Sequence, residues 1–219
     1  MEIVVSKDGS NTIFSHEFDE FYHSPRGAVS ESKYVYIQNG LEEYVKINNY
    51  SSISIFELGF GTGLNALLTW EYSIKHNLKV DFTSIEKFPL DLITNLKLNF
   101  SETNKDLFQK IINSDWNIKN NLDNNFTLTK CKSDINEYFT NEKSDIIFFD
   151  AFAKSKQDEI WSDEIINKVC QFLKPNGIFV TYASTTQLKK QLKSNNFSLI
   201  KKKGALGKRE MTFAIKKEN

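Results

Sequence analysis

Three glycines and a handful of acids carry the chemistry legible in this chain. Gly59, Gly61 and Gly63 stand in Glu57-Leu58-Gly59-Phe60-Gly61-Thr62-Gly63-Leu64-Asn65. Before them runs an apolar stretch, residues 53–58, and after them Leu64, Leu67, Leu68 and Tyr72 recur at helical spacing, so the glycines mark a strand-to-helix turn. Glycine there tolerates positive φ and, lacking Cβ, lets a ligand lie against the main chain. The helix N-terminus that follows offers unpaired N–H donors to an anionic group. The spacing is G-x-G-x-G, whereas dinucleotide-binding turns carry G-x-G-x-x-G. That difference favours S-adenosylmethionine over NAD or FAD. Glu86 closes the next apolar run, residues 80–85, where such folds hydrogen-bond ribose hydroxyls; the competing reading is a solvated acid at a strand end.

Asp150 ends the apolar run 144–149 and is followed by Ala151-Phe152-Ala153. A continuous apolar run ending in an acid reads as a central parallel strand. Ligands of open α/β sheets bind beyond the carboxyl ends of the strands, which brings Glu57, Glu86 and Asp150 together, with Asp134 near them in the loop after the third strand. Methyl transfer from a sulfonium needs alignment and a nucleophile with a free lone pair. An alkylamine acceptor is mostly protonated near neutral pH, given a reference pKa of about 10.4. A carboxylate beside it can hold the ammonium and pass its proton on, a task that fits Asp150. Phe152 reads either as a stacking surface for a flat acceptor or as ordinary core. Trp116 and Trp161 read as core.

The elements that must position these residues alternate. Strands are expected at residues 53–58, 80–85, 126–131, 144–150, 178–182, 197–203 and 210–216. Helices are expected after Leu64, after Pro89 with Leu92, Ile93 and Leu96 on one face, and over 106–113, 134–139 and 185–195; a further one is capped by Ser162. This pattern predicts an α/β, Rossmann-like, doubly wound sheet of the class I S-adenosylmethionine-dependent methyltransferase type, seven-stranded and mainly parallel, with an antiparallel C-terminal hairpin. Residues 1–50 are expected to form an N-terminal extension or hairpin, with Tyr34 and Tyr36 in β-like alternation near 33–37, and residues 51–219 the methyltransferase domain.

The chain has 219 residues and equal numbers of acids and bases, so no overall polycationic attraction for nucleic acid exists. Ten cations nevertheless crowd residues 189–217, opposed only by Glu210, and read as a solvated face or a nucleic-acid-facing stripe. Cys131 and Cys170 lack C-x-x-C spacing and suit reduced thiols of a cytoplasmic protein. His16, His23 and His76 have no metal-ligand spacing, and no metal is expected. The N-terminus has no basic-then-apolar signal pattern and the most apolar run is interrupted by Asp150, so no membrane association is expected.

Several segments together resemble the bacterial tRNA 5-methylaminomethyl-2-thiouridine methyltransferases, stand-alone relatives of the methyltransferase half of a bifunctional wobble-uridine enzyme. They are FDEFYHSPRGAVSESKYVYI, ELGFGTGLNALLTW, IEKFPL, FFDAFA, GIFVTYAS and GKREM, covering nearly the whole chain. The resemblance implies methyl transfer from S-adenosylmethionine to the exocyclic amine of 5-aminomethyl-2-thiouridine at the tRNA wobble position. It also implies that Glu57, Gly59, Gly61 and Gly63 cradle the methionine part, Glu86 the ribose, and Asp134 the adenine amino group. Asp150 would engage the acceptor amine, Glu31 would belong to the pocket, and Lys208 with Arg209 would lie at the rim near the tRNA. Two departures are a Lys154 where the family carries proline, and Thr185 to Lys190 where it carries a small-residue turn with arginine. Ending at Asn219 with no flavin-binding module, the chain is expected to lack the oxidative step of the fused enzymes. A methyltransferase of small-molecule amines, favoured by zero net charge, and a non-catalytic S-adenosylmethionine- or RNA-binding module are the rival readings.

Overall fold

The computed structural model describes residues 1–48, 50–91, 97–100 and 104–218; the helix expected at Leu92, Ile93 and Leu96 lies outside them. Three short strands, β1 (Glu2–Val5), β2 (Asn11–Ser15) and β3 (Glu20–Phe21), pair antiparallel in that order. A helical stretch follows, from α1 (Ala28–Ser32) through a π-helix (Lys33–Leu41) into α2 (Glu42–Asn48).

The π-helix replaces the β-like alternation expected near residues 33–37. Its buried residues Val35, Tyr36, Ile37, Gly40 and Leu41 form one face, and a Cβ on Gly40 would come within 3.1 Å of both Phe148 and Val180. Two tyrosines are too few to set a period, and the larger buried set Val35, Tyr36, Ile37, Gly40 and Leu41 follows a helical one.

The main sheet contains β4 (Ser52–Leu58), β5 (Lys79–Glu86), β6 (Lys119–Asn121), β7 (Phe126–Lys132), β8 (Ser144–Phe149), β9 (Leu173–Thr181), β10 (Phe197–Lys202) and β11 (Met211–Lys216). Their spatial order is β10-β11-β9-β8-β4-β5-β7-β6. The five central strands are parallel, while β11 runs antiparallel between β9 and β10, the expected closing hairpin. All seven expected strands form. An eighth, β6, adds three polar residues antiparallel to β7 at the edge, too short for any apolar period.

Alternation within the strands builds two cores. Ile53, Ile55, Ile146 and Phe148 face one; Phe56, Leu58, Ile147 and Phe149 face the other. The first is covered by the N-terminal helical stretch, α3 (Leu64–His76) and α4 (Lys105–Asn113). The second is covered by α5 (Asp163–Gln171) and α6 (Thr186–Ser194), whose caps Ser162 and Thr185 accept the N–H of Ile165 and Leu188. Residues 134–139 form a turn rather than the expected helix. The Asp134 carboxylate accepts the Asn136 N–H at 2.9 Å, an Asx turn that competes with helical pairing, and Phe139 is left 82% exposed. Cys131 and Cys170 are free thiols.

From β4 the chain proceeds to β5 and β7 on one side, then returns to β8 on the other. The strand order therefore reverses between β4 and β8, where the Asp150 N–H donates to the Leu58 carbonyl at 2.9 Å. A ligand-binding crevice belongs at such a point.

Candidate active site

A cleft of about 370 Å³ opens beyond the carboxyl ends of β4, β5 and β8, in the range of small-molecule sites. Its walls include Gly59 and Gly61, Glu86, Asp134, Asp150 to Ala153, Tyr22, Glu31 and Lys208. Gly59 has φ 97°, and a Cβ there would sit 2.5 Å from the Asp150 carbonyl oxygen. Gly61, at φ 50°, packs beneath the Tyr22 ring; Gly63, at φ 78°, precedes α3, and a Cβ there would meet Phe60 at 2.9 Å. The turn is pinned from outside by the 2.6 Å hydrogen bond between His23 Nε2 and Thr62 Oγ1. Burial pushes His23 down to about 4, so the ring is neutral at pH 7.

Glu86 reaches back over the same turn. Its Oε2 accepts the Gly61 N–H at 3.0 Å and its Oε1 the Phe88 N–H at 2.8 Å, while burial raises its pKa. Glu57 lies behind the cleft wall, 1% exposed, accepting from Asn65 Nδ2 at 2.9 Å and from the Ser84 hydroxyl at 2.6 Å. Burial holds its carboxyl well above the usual carboxylate range. Asp134 sits at the cleft edge, paired with Lys87 at 2.7 Å, a contact that lowers its pKa.

Asp150 faces the cleft from just past the end of β8. Its Oδ1 accepts from the Tyr36 hydroxyl at 2.7 Å and its Oδ2 from Asn65 Nδ2 at 2.8 Å. Burial nevertheless pushes it up to about 6, with Glu31 adding to the rise and Lys208 opposing it. Glu31 and Lys208 are themselves paired at 2.6 Å, and the Lys208 ammonium lies 5.0 Å from the Tyr182 ring centroid. The Tyr182 hydroxyl donates to the Ala151 carbonyl at 2.9 Å.

Phe152 stacks on Phe18 at 4.8 Å and meets the Tyr22 ring edge-on at 5.0 Å. Trp161 is core, 2% exposed, and its indole N–H donates to the Phe152 carbonyl. Trp116 packs on Phe60 outside this cleft. Arg209 is exposed and does not line the cleft.

The structure thus brings Glu31, Gly59, Gly61, Glu86, Asp134, Asp150, Phe152 and Lys208 to one cavity. Sequence reasoning missed Tyr36, Asn65, Phe18, Tyr22 and Tyr182. The available signal was the buried tyrosine hydroxyl, which needs a polar partner.

The glycine turn, with main chain open to the cleft and an acid at the end of the neighbouring strand, fits a nucleoside-bearing methyl donor. The family model described as S-adenosyl-L-methionine-dependent methyltransferase matches residues 94–217. The chain belongs to this family. The methyltransferase is also similar to the "tRNA 5-methylaminomethyl-2-thiouridine biosynthesis bifunctional protein MnmC" of Leptospira borgpetersenii, 30% identical over 218 residues, covering 91% of this chain and 33% of that one. The protein of the same name from Idiomarina loihiensis is 29% identical, covering 90% of this chain and 36% of the relative. The methyltransferase therefore spans about a third of the length of these relatives. The crystal structure of MnmC2 from Aquifex aeolicus superposes with a TM-score of 0.82 at 23% identity, covering 98% of this chain and 70% of that one, so the two share a fold. The class I architecture and the S-adenosylmethionine cofactor expected from the sequence are borne out.

Proposed function

We propose that this methyltransferase moves a methyl group from S-adenosylmethionine to the exocyclic amine of 5-aminomethyl-(2-thio)uridine at the tRNA wobble position, in the cytoplasm. The name of its curated relatives supports the substrate, and one observation carries the chemistry: a carboxyl group held by two donors at the switch point, pushed up to about 6.

The donor, when bound, supplies a methyl group on a sulfonium, and its transfer to nitrogen is an in-line displacement needing no covalent enzyme intermediate. Gly59, Gly61 and Gly63 cradle the methionine part with Glu57 behind them, Glu86 holds the ribose hydroxyls, and Asp134 faces the adenine amino group. Asp150 receives the acceptor ammonium. A carboxylate titrating near 6 remains charged at pH 7 and is closer to the operating pH than an ordinary aspartate, which improves it as a base. It takes one proton, which leaves the amine with a lone pair. Glu31 lies near it with its charge countered by Lys208, so the attraction for a cationic group comes from Asp150 itself. Phe18, Tyr22 and Phe152 offer ring faces and edges on which a flat base stacks. Lys208 and Arg209 lie toward the phosphates, which makes tRNA affinity fall steeply with salt.

The decisive assay incubates the protein with labelled S-adenosylmethionine and tRNA carrying 5-aminomethyluridine. Label in that nucleoside is the expected result. Donor binding without label in tRNA, together with label in a free alkylamine at salt-independent rates, would overturn the substrate.

A further inference from the structure

Asn65 stands two residues past the third glycine, in the first turn of α3, and is 3% exposed. Both hydrogens of its side-chain amide go to carboxyl groups, one to Glu57 Oε1 at 2.9 Å and one to Asp150 Oδ2 at 2.8 Å. Its own Oδ1 is buried with no hydrogen-bond partner among the described residues. A buried amide oxygen left without a donor is costly, so the side chain is oriented by the two acids in front of it. Tyr36, from the π-helix, supplies the matching donor to the other oxygen of Asp150 at 2.7 Å. One donor per oxygen fixes the plane of the carboxylate and leaves each oxygen free lone-pair capacity toward the cleft.

The remaining charged or titratable groups around Asp150 are Glu31 from α1, Lys208 from the turn before β11, Tyr182 just past β9, and Glu57 across the Asn65 amide. Tyr182 donates to a carbonyl rather than to Asp150, and Lys208 is engaged by Glu31. The direct hydrogen bonds favouring the charged form therefore come from Asn65 and Tyr36.

We propose that Asn65, acting with Tyr36, is a positioning residue that keeps the Asp150 carboxylate charged and turned to receive the acceptor's proton. The inference rests on reading Asp150 as the group that engages the amine. In the step it serves, the ammonium N–H bond breaks with its electron pair staying on nitrogen, and an O–H bond forms on Asp150. The proton leaves to solvent after turnover.

The test is single-turnover methyl transfer at saturating donor, from pH 5 to 9, in the parent protein and the Asn65→Leu, Tyr36→Phe and Asp150→Asn variants. Donor affinity is measured alongside by calorimetry. Each donor deletion removes a stabilising contact to the charged form, so the acid limb of the rate profile moves to higher pH. We expect a shift of about one pH unit, hence roughly fivefold slower transfer at pH 6 and roughly tenfold slower at pH 5, with the rate largely recovered at pH 9. Donor affinity should stay within about threefold, a difference of about 0.7 kcal/mol. Tyr36→Phe deletes a single oxygen and carries the same expectation should Asn65→Leu not fold. An unmoved acid limb, or an equal loss at every pH, with Asp150→Asn inactive, overturns the role of Asn65 and leaves that of Asp150 standing. Asp150→Asn turning over at the parent rate overturns the reading of Asp150 itself.

Discussion

Strand β8 carries or abuts an acid at each end, Asp145 near its start and Asp150 just past its end, and the two have opposite fates. Each accepts a hydrogen bond from a tyrosine of the N-terminal helical layer, Tyr44 at 2.9 Å and Tyr36 at 2.7 Å. Asp145 also accepts the Ser54 N–H at 2.7 Å, the Ser54 hydroxyl at 2.8 Å and the Lys174 ammonium at 2.9 Å. Burial would raise its pKa, yet Lys174 and these donors hold it below the usual range. Asp150 has neutral donors only in direct contact, and burial with the nearby Glu31 pushes it up to about 6. The difference teaches that burial alone does not make an acid reactive. A buried carboxylate given a cation and enough donors is structural, whereas one given too few is poised to exchange a proton.

The sharpest way to break this contrast is to delete each acid. Asp150→Ala should lower turnover by about 10²-fold or more, the low end of what a positioned base contributes, with donor affinity within about tenfold by calorimetry. Asp145→Ala should leave turnover per folded molecule unchanged and lower stability by about 2–3 kcal/mol in urea unfolding, because Lys174 and Tyr44 lose their partner. Lys174 is 45% exposed, which keeps this loss below that of a fully buried pair. Exchanged outcomes, with Asp145 needed for turnover and Asp150 for stability, would dissolve the distinction.

How much of this was legible in the sequence follows from where each signal resides. Gly59, Gly61 and Gly63 announce themselves because positive φ and a missing Cβ are properties of the residue type. The buried strands are legible because burial on both faces requires an unbroken apolar run, as in Ile146 to Phe149. Asn65 was not legible as a partner of Asp150, because 85 positions separate them and only the fold brings them within 2.8 Å. Tyr36 was hidden by a pattern too short to tell period 2 from a helical turn, and the turn at Asp134 by a side chain that competes with helix for its own backbone. The C-terminal cations were legible as charge but not as contacts. Lys189 and Lys201 pair with Glu210, Lys202 with Glu43 and Lys208 with Glu31, and the Lys216 ammonium donates to the Cys170 and Leu173 carbonyls. Half of the stripe is thereby tied to its own fold, and Lys208 is the one of these that reaches the cleft.

The two acids should also respond to pH with opposite signs. Asp150 has its carboxyl raised from 3.8 to about 6 in the fold, so ionising it costs stability. That cost is absent below about pH 4, grows as pH rises toward 6 and is complete above it. Asp150→Asn should therefore stabilise the ligand-free protein at pH 8 by on the order of 1–2 kcal/mol relative to its effect at pH 4, a value discounted from the full shift because the group borders the cleft. A variant equally stable relative to the parent at both pH values would mean that the acid is not strained by burial.

Asp145 has its carboxyl lowered, so it contributes stability that is present above its ordinary value and lost as pH falls below it. Tyr44→Phe removes one donor out of the four groups around that carboxylate and leaves Ser54 and Lys174 in place. The expected loss is about 1.5 kcal/mol at pH 7, the low end for one hydrogen bond to a charged group, because the carboxylate keeps its other partners. Because the tyrosine hydroxyl favours the carboxylate over the carboxylic acid, that loss should shrink once Asp145 is protonated. Urea unfolding at pH 7 and at a series of pH values stepped downward from 3.8 separates the two contributions. A loss that shrinks along the series assigns it to the hydrogen bond, whereas a constant loss assigns it to packing of the ring and removes Tyr44 as the structural counterpart of Tyr36.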